Sequence, residues 1–384
     1  MSEWHVSAPG SYQRMLIFSA HYAEIRVYIY TKSEKLEYIY QLKGWPAVDW
    51  DHDRVDRSLA ETRNEMSRLI EKVASIPQFL QKEVDSYILN MELSSSWALA
   101  DIPLTTLSNE NLTGLQAIMD DAAHNSVSAL TEERIFRWHR ALFPTGRSGP
   151  YRIKVGAWRD NPVDRPLEVF VGEGANERVA FEAPPSFMLS KDMFRFTSWF
   201  NTKFQVDPLI KSAIAHVGFV TIHPLEDGNG RMARLIALLQ LSRAIGASVH
   251  VFSMSAQLEK DRKHYLEKLE QTQKGDLNVT EWLLWFLQTT RKAILLSEKS
   301  LASIFSKAKF WEKITGIPLN SRQIKMINAL LDGLDKKLTT TVWGEHCGCS
   351  QDTALRDIQD LLNKKIVENG LGGGRSTNYV LRNS

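Results

Sequence analysis

The sequence contains little cysteine. Cys347 and Cys349 are the only two in 384 residues, and with one residue between them they are too close for an easy disulfide. His346 precedes them, but a structural zinc site needs a fourth ligand. The sequence therefore predicts neither a disulfide-based scaffold nor a zinc site.

Long apolar runs and an excess of charge of one sign are also absent. No segment reaches the roughly 18 apolar residues of a membrane span, and the apolar patch at 15–20 runs into His21 and Glu24, unlike a secretory signal. The net charge of +2 gives no general attraction to nucleic acid or membrane. We expect a cytoplasmic globular protein of two or three domains with no membrane partner.

The most informative segment runs from His223 to Arg234 and reads HPLEDGNGRMAR. Apolar residues at helical spacing precede and follow it, which predicts a helix, a loop and a second helix. Gly228 and Gly230 allow positive φ and a close backbone approach to a ligand. Their N–H groups and the start of the second helix favour a bound phosphate.

The side chains of this segment fit transfer of a phosphate-containing group. His223 can be neutral near pH 7 and accept a proton from a hydroxyl. Asp227 suits Mg²⁺, although it could instead cap the second helix. Arg231 and Arg234 share a helix face and can bind phosphate oxygens. We expect Glu226 to meet solvent, and His216 to pack beside the site rather than to act in it.

This segment resembles the signature HPFxxGNGRxxR of the Fic family, with Leu225 replacing the usual Phe. Residues 138–146 and 156–159 resemble the segments that precede the β-hairpin flap of that family, and residues 182–185 resemble the end of its flap. The resemblance covers about residues 36–384.

The resemblance implies a mainly α fold: a Fic helical core with a β-hairpin flap, plus a C-terminal winged helix-turn-helix. It implies transfer of AMP from ATP to a Ser, Thr or Tyr hydroxyl of a protein, including the chain itself, with release of pyrophosphate. His223 would be the base and Asp227 would hold Mg²⁺. Gly228, Asn229 and Gly230 would hold the α- and β-phosphates, and Arg231 and Arg234 the β/γ end. Two alternatives stay open: a nucleotide-sensing, DNA-binding regulator, and transfer of UMP or phosphocholine by the same core.

Two alternating strands at 167–171 and 178–181 flank a glycine-containing turn at 172–176. In the Fic family this hairpin aligns the target segment by strand pairing. The alternative is an ordinary surface hairpin.

Many Fic proteins carry an inhibitory helix, Ser/Thr-x-x-x-Glu-Gly/Asn, whose glutamate pairs with the last arginine of the motif. Residues 94–101 occupy the matching place, with Ser95 at the serine position and Leu99 at the glutamate position. Glu92 lies on the wrong side and Asp101 two residues late. We expect this restraint to be missing. Alternatively, other domains regulate the protein and the segment has drifted, or its serines only cap a helix.

The remaining segments suggest four parts. Residues 1–35 are an unassigned extension with a strand near 25–30, or reflect a start codon placed before the true beginning at Met15 or later. Residues 36–104 form an N-terminal helical domain with two helices split at 75–77, which ends in the degenerate inhibitory region. The catalytic core spans 105–314, including one or two helices at 281–310.

Residues 315–384 predict a winged helix-turn-helix, with helices at 321–331, 339–346 and 351–362, strands at 365–367 and 379–381, and a glycine tip at 372–374. A recognition helix at 350–362 would expose Gln351, Thr353, Arg356 and Gln359. Three acidic residues of that helix oppose a DNA backbone: Asp352, Asp357 and Asp360. Four basic residues nearby favour it: Lys364, Lys365, Arg375 and Arg382. DNA is one possible partner; protein docking or homodimer packing is the other.

Overall fold

The computed structural model describes residues 12–17, 26–31, 38–102, 105, 109–171, 177–202, 206–246, 249–334, 336–370 and 378–382. The chain is mainly α-helical, as expected from its sequence. Among the described residues, none of the helices combines the length and apolar character needed to cross a bilayer. The helices are α1 (His52–Ala74), α2 (Gln78–Ala98), α3 (Asn109–His124), α4 (Glu132–Leu142), α5 (Leu189–Asn201), α6 (Pro208–Ile222), α7 (Asn229–Ile245), α8 (Met254–Lys260), α9 (Arg262–Gln273), α10 (Thr280–Ser300), α11 (Ala302–Lys313), α12 (Ser321–Leu331), α13 (Thr340–Cys347) and α14 (Gln351–Asn363).

The strands form four two-stranded antiparallel ribbons in the described residues. They are β1 (Tyr12–Ile17), β2 (Arg26–Thr31), β3 (Arg147–Ser148), β4 (Tyr151–Arg152), β5 (Glu168–Val171), β6 (Arg178–Glu182), β7 (Val367–Asn369) and β8 (Tyr379–Leu381). The strand expected near 25–30 is confirmed as β2, whereas its partner β1 was not expected.

Helices α1 and α2 confirm the expected pair with a break at 75–77. The Asp51 side chain begins α1 by accepting the Arg54 N–H at 3.0 Å, an N-cap that satisfies one free backbone donor. Val55, Met66 and Leu69 lie on the buried face of α1, and this face packs against α10. The break follows from Pro77, which disfavours helical backbone at the preceding residue.

Helices α6 and α7 form the central pair of the larger unit and pack on each other. Nearly every residue of both helices is buried, which is typical of helices surrounded by other elements. Helices α1, α3 and α4 contact α7, while α5, α9 and α10 contact α6. The loop between α6 and α7 is therefore anchored at both ends in the core.

Strands β5 and β6 form the expected hairpin, with Glu168 opposite Glu182 and an irregularity between Val169 and Phe170. Phe181 is buried at its base against Tyr38. The expected turn at 172–176 lies outside the described residues.

The chain divides into two compact units, the first comprising Met1–Ser75 and Gln81–Ser300 and the second Ile76–Leu80 and Leu301–Ser384. The expected helical segment at 281–310 is two helices, α10 and α11. The four-part division of the sequence stays a prediction.

In the second unit, helices α12 to α14 enclose a core around Met326, Trp343 and Ile358, and Gly348 turns between α13 and α14 with φ +65°. The strand expected at 365–367 was placed too early. Lys365 has φ +57°, and the N–H groups of Lys365 and Ile366 donate to the last carbonyls of α14, so the extended backbone begins only at Val367. The expected tip at 372–374 and Arg375 lie outside the described residues.

Candidate nucleotide-transfer site

His223 ends α6 in a left-handed conformation, with φ +50° and ψ +55°. Its N–H donates to the Phe219 carbonyl at 2.9 Å. Few residues other than glycine adopt this conformation, which costs of order 1 kcal/mol and persists only where neighbours enforce it. The chain therefore leaves α6 at a sharp, fixed angle at this histidine.

Arg159 enforces that geometry. Its Nε donates to the His223 carbonyl at 2.7 Å and its backbone N–H to the Pro224 carbonyl at 2.9 Å. Its Nη2 donates to the Pro184 carbonyl at 2.5 Å, just after β6. Arg159 is 2% exposed, and burial lowers its pKa to about 10. One buried guanidinium thus joins the histidine to the base of the hairpin.

The His223 imidazole is half-buried, and its Nδ1 lies 3.0 Å from the Val220 carbonyl. This contact assigns the proton to Nδ1 and leaves Nε2 as the basic nitrogen. Burial lowers the pKa of His223 to about 4, and the Arg159 charge contributes in the same direction. The ring is therefore neutral near pH 7. Phe181 of β6 lies beside it, with ring centroids 6.3 Å apart.

Gly228 precedes α7 with φ +82°, as expected for a glycine that turns the loop. A Cβ there would lie 2.8 Å from Cε2 of Phe143, so the position has no room for a side chain. Gly230 differs from the expectation, because it lies inside α7 and is not among the positive-φ residues. The helix begins at Asn229, so the anion-binding donors are those of its first turn.

Asn229 holds the loop closed on itself. Its Oδ1 accepts the Leu225 N–H at 3.0 Å and its Nδ2 donates to the Leu225 carbonyl at 2.8 Å. Leu225 is fully buried, so this apolar residue anchors the loop in the core. In this conformation the Asn229 amide shapes the loop, and its contact with a phosphate stays a prediction.

Asp227 faces outward, with its side chain 42% exposed. Its Oδ1 accepts the Gly228 N–H at 2.5 Å, and its Oδ2 accepts the Ser148 hydroxyl. Carboxylate and hydroxyl oxygens are hard donors that suit Mg²⁺, so this pair fits the expected ion. Glu226 is half-buried and so meets solvent in part, and it also accepts the Lys154 N–H at 2.8 Å.

Arg231 and Arg234 are both buried. The Arg231 guanidinium lies 4.6 Å from the Phe143 ring centroid and 5.5 Å from that of Trp97. Its Nη2 is 3.8 Å from Asp227, a long ion pair. Burial lowers the pKa of both arginines. Two buried cations so close to a loop of N–H donors make a strongly anion-attracting site.

Arg234 is held by α2. Its Nε donates to Ser96 Oγ at 2.8 Å and its Nη2 to the Ser96 carbonyl at 2.6 Å. Its Nη1 lies on the loop side, 3.4 Å from where a Cβ on Gly230 would be. Among the described residues, no carboxylate of the expected inhibitory region forms an ion pair with Arg234. Asp101 pairs with Arg262 instead, and Glu92 accepts the Ser253 hydroxyl at 2.6 Å.

His216 packs behind the site, as expected. It is fully buried, and its Nε2 lies 2.8 Å from the Tyr265 hydroxyl. Tyr265 also lies near Arg234 and raises its pKa, against the lowering by burial. The sequence reasoning missed the parts played by Arg159, Ser148, Ser96 and Tyr265, which are distant in sequence from the loop. Arg159 and Ser96 lay in segments that the resemblance had singled out, whereas Ser148 and Tyr265 did not.

Comparison with known proteins matches residues 129–241 to the Fic/DOC family and residues 38–101 to a domain of unknown function, DUF4172. Among curated proteins, the chain is 37% identical over 92 residues to protein adenylyltransferase Fic of Aedes aegypti, covering 23% of this chain and 17% of that protein. It is 34% identical over 152 residues to protein adenylyltransferase Fic of Nematostella vectensis, covering 39% of this chain and 30% of that protein. The matched segments thus span less than a third of either relative.

The fold is similar to the crystal structure of a Fic family protein from Desulfovibrio desulfuricans G20. The TM-score is 0.56 at 17% identity, and the match covers 88% of this chain and 99% of the other. At this identity the likeness is one of fold. The matched segment at 129–241 contains the loop from His223 to Arg234, and together with the fold it supports the resemblance of this chain to the Fic family.

Proposed function

We propose that the protein is an adenylyltransferase that moves AMP from ATP to a Ser, Thr or Tyr hydroxyl of a protein. The observation that carries the proposal is the position of His223: a neutral imidazole with Nδ1 committed to Val220, on the loop that begins an anion-binding helix. A site that only sensed nucleotide would not need a base there. The curated relatives are named protein adenylyltransferases.

In the reaction, Nε2 of His223 accepts the proton of the target hydroxyl. The hydroxyl oxygen forms a bond to the α-phosphorus of ATP, and the bond between that phosphorus and the α–β bridging oxygen breaks. Pyrophosphate leaves with the electron pair of the broken bond. General-base help of this kind contributes on the order of 10²–10⁴ in rate.

The loop and its arginines would stabilise the triphosphate. The N–H groups at the start of α7, together with Gly228, face the α- and β-phosphates, while Arg231 and Arg234 attract the β/γ end. Asp227 and Ser148 would hold Mg²⁺, which neutralises phosphate charge when bound. These assignments rest on the donor chemistry of these residues and on the exposure of the Asp227 side chain.

The hairpin β5–β6 would align the target. It is tied to His223 through Arg159 and Pro184, so a segment paired to the hairpin would lie beside the base. Pairing through backbone groups carries little side-chain specificity, so the hairpin does not determine which protein is the target.

Mass spectrometry tests the proposal. The full chain is incubated with ATP and Mg²⁺, alone and with candidate target proteins, and peptides are searched for AMP on hydroxyl side chains. We expect adducts with the wild type and with His264→Ala, an exposed-histidine control, and none with His223→Ala. Absence of adducts from the wild type, or their persistence in His223→Ala, would overturn the proposal.

For the C-terminal unit we propose a winged-helix fold that docks a protein or a second copy rather than DNA. Asp357, expected to oppose DNA, is buried and forms an ion pair with Arg322 at 2.7 Å. Lys364, expected to favour DNA, forms an ion pair with Asp360, so its charge is already partly neutralised. The exposed face of α14 presents Leu355 and Asp352 beside Arg356 and Gln359, while Thr353 is half-buried. A face with an exposed leucine, and with one acidic residue balancing its one basic residue, suits protein better than phosphate.

A DNA titration decides between these partners. The full chain is mixed with random-sequence duplex DNA at low salt, and anisotropy is followed as salt is added. We expect no binding at low salt. Binding that weakens steeply with salt would show phosphate contacts and contradict the proposal.

A further inference from the structure

A cavity of about 730 Å³ lies between the loop that carries Trp45 and Trp50, helix α5 and the second half of α6. Its wall is mostly apolar and includes Trp199. None of the described residues that line it belongs to the segment from His223 to Arg234. Pockets of this size and character bind small organic molecules. The cavity is therefore separate from the transfer site.

Asp192 is the acidic residue in this wall. It is 6% exposed, and among the described residues no hydrogen-bond donor or cation lies within bonding distance of its carboxylate. Burying a carboxylate without such a partner is costly. Burial raises the pKa of Asp192, and the positive charges of Arg195 and Lys191 oppose that rise. The carboxylate thus faces a large apolar cavity without a compensating contact.

The neighbouring cations do not supply that contact. Arg195 lies three residues on in the same helix and lines the cavity, but it is outside ion-pair distance of Asp192 and is exposed. Lys211 lies 5.2 Å from the Trp199 ring centroid, and its Nζ donates to the Thr202 carbonyl at 2.6 Å. A positive group from outside the chain would complete the site.

We propose that this cavity binds a small organic cation, a primary amine or guanidinium carried on an aryl or alkyl body. Asp192 would pair with the positive group through charge-assisted hydrogen bonds. The tryptophans would cover the apolar body and attract the cation through their ring faces. Thr221 and Ile222 line the cavity and lead directly into His223, so the ligand would contact the helix that carries the base.

Calorimetry with a matched ligand pair tests the proposal. Phenethylamine and its uncharged analogue phenethyl alcohol are titrated into the full chain. We expect the amine to bind about tenfold more tightly than the alcohol. Asp192→Asn should abolish this preference, whereas Asp164→Asn, at an exposed carboxylate, should retain it. Equal affinities, a preference that survives in Asp192→Asn, or no binding of either ligand would overturn the proposal.

Two further measurements guard against indirect effects. Arg195→Ala should keep the preference for the amine, since Arg195 is not the partner of Asp192; loss of the preference would contradict the assignment. Thermal unfolding of Asp192→Asn should show no fall in Tm, because the substitution removes an unpartnered buried charge. A lower Tm would reveal a structural partner for Asp192 and would also overturn the proposal.

Discussion

The chemistry of His223 depends on its burial and on a single backbone contact. Neutral imidazole is needed for proton acceptance, and the surroundings favour that form by lowering its pKa to about 4. The Val220 carbonyl then selects which nitrogen is basic. The same residue type on the surface would be partly protonated at pH 6.

The pH dependence of AMP transfer follows from this pKa. Because the base stays neutral down to about pH 4, kcat/KM should fall by less than twofold between pH 7.5 and 5.5. A histidine with the ordinary pKa of about 6.5 would lose about tenfold over the same range. Initial rates of AMP transfer to a fixed target peptide measure kcat/KM at each pH, and circular dichroism confirms that the protein stays folded. An acid limb centred near pH 6.5 would contradict the burial of the base.

A second prediction concerns substitution of Gly228. Gly228→Ala must adopt φ +82° with its Cβ 2.8 Å from the Phe143 ring, so the loop has to shift. We expect AMP transfer to fall at least tenfold, because a shift of this size displaces the phosphate donors.

Gly246→Ala is the matched control. Gly246 has φ +63° and nothing within 4 Å of the Cβ position, so alanine there carries the backbone strain alone, about 1 kcal/mol. Unfolding by urea should register that loss while activity stays near wild type. Equal activities of the two variants would show that the loop geometry is not critical.

At the scale of elements, the end of α2 and the start of α7 meet at Arg234. Ser96 supplies a hydroxyl and a carbonyl to this arginine, three residues before Leu99, the position that we aligned with the inhibitory glutamate. Leu99 lies three residues after Ser96 and so on the same side of the turn. A neutral serine competes with a phosphate for the guanidinium less strongly than a carboxylate does.

Leu99→Glu should restore the restraint. A carboxylate at this position could pair with Arg234, and we expect AMP transfer to fall about tenfold, since charge-assisted hydrogen bonds contribute about 1.5–3 kcal/mol. The uncharged Leu99→Gln has the same length and should stay within twofold of wild type. Radiolabel transfer from ATP measures both. Equal losses in the two variants would point to packing rather than charge.

At the scale of the whole molecule, four histidines, of which three are buried and His223 is half-buried, are held neutral. Burial lowers the pKa of His216 and His250 to about 3, and that of His139 and His223 to about 4. In the unfolded chain these four imidazoles take up protons near pH 6.5. In the folded protein the same imidazoles take up protons only at about pH 4 or below. The stability they confer is therefore complete above pH 6.5 and lost as the pH falls below it.

Acid should destabilise the larger unit accordingly. Each such histidine lowers the free energy of unfolding by about 2 kcal/mol at pH 5 relative to pH 7.5. His250→Leu should reduce the drop in unfolding free energy between these pH values by about that amount, measured by urea unfolding followed by tryptophan fluorescence. His264→Leu, at an exposed position, should leave the drop unchanged. An unchanged drop in His250→Leu would show that this ring is not buried neutral.

The sequence predicted what depends on local pattern. Helical spacing around residues 214–239 located α6, the loop and α7, and Gly228 adopts the expected positive φ. Gly230 was misassigned because helical backbone begins one residue before it, at Asn229, which the motif alone does not reveal. The Arg159 and Ser96 contacts join residues 64 and 138 positions apart, and only the packed fold brings them together. The cavity beside α6 likewise exists only in three dimensions.

Transfer from ATP labelled at the α- or the γ-phosphate tests the central claim most directly. The full chain is incubated with each nucleotide and its target, in wild type, His223→Ala and His264→Ala. Attack at the α-phosphorus with His223 as base predicts label on protein from the α-position only, in wild type and His264→Ala, and none in His223→Ala. Label from the γ-position, or α-label that persists in His223→Ala, would contradict the account.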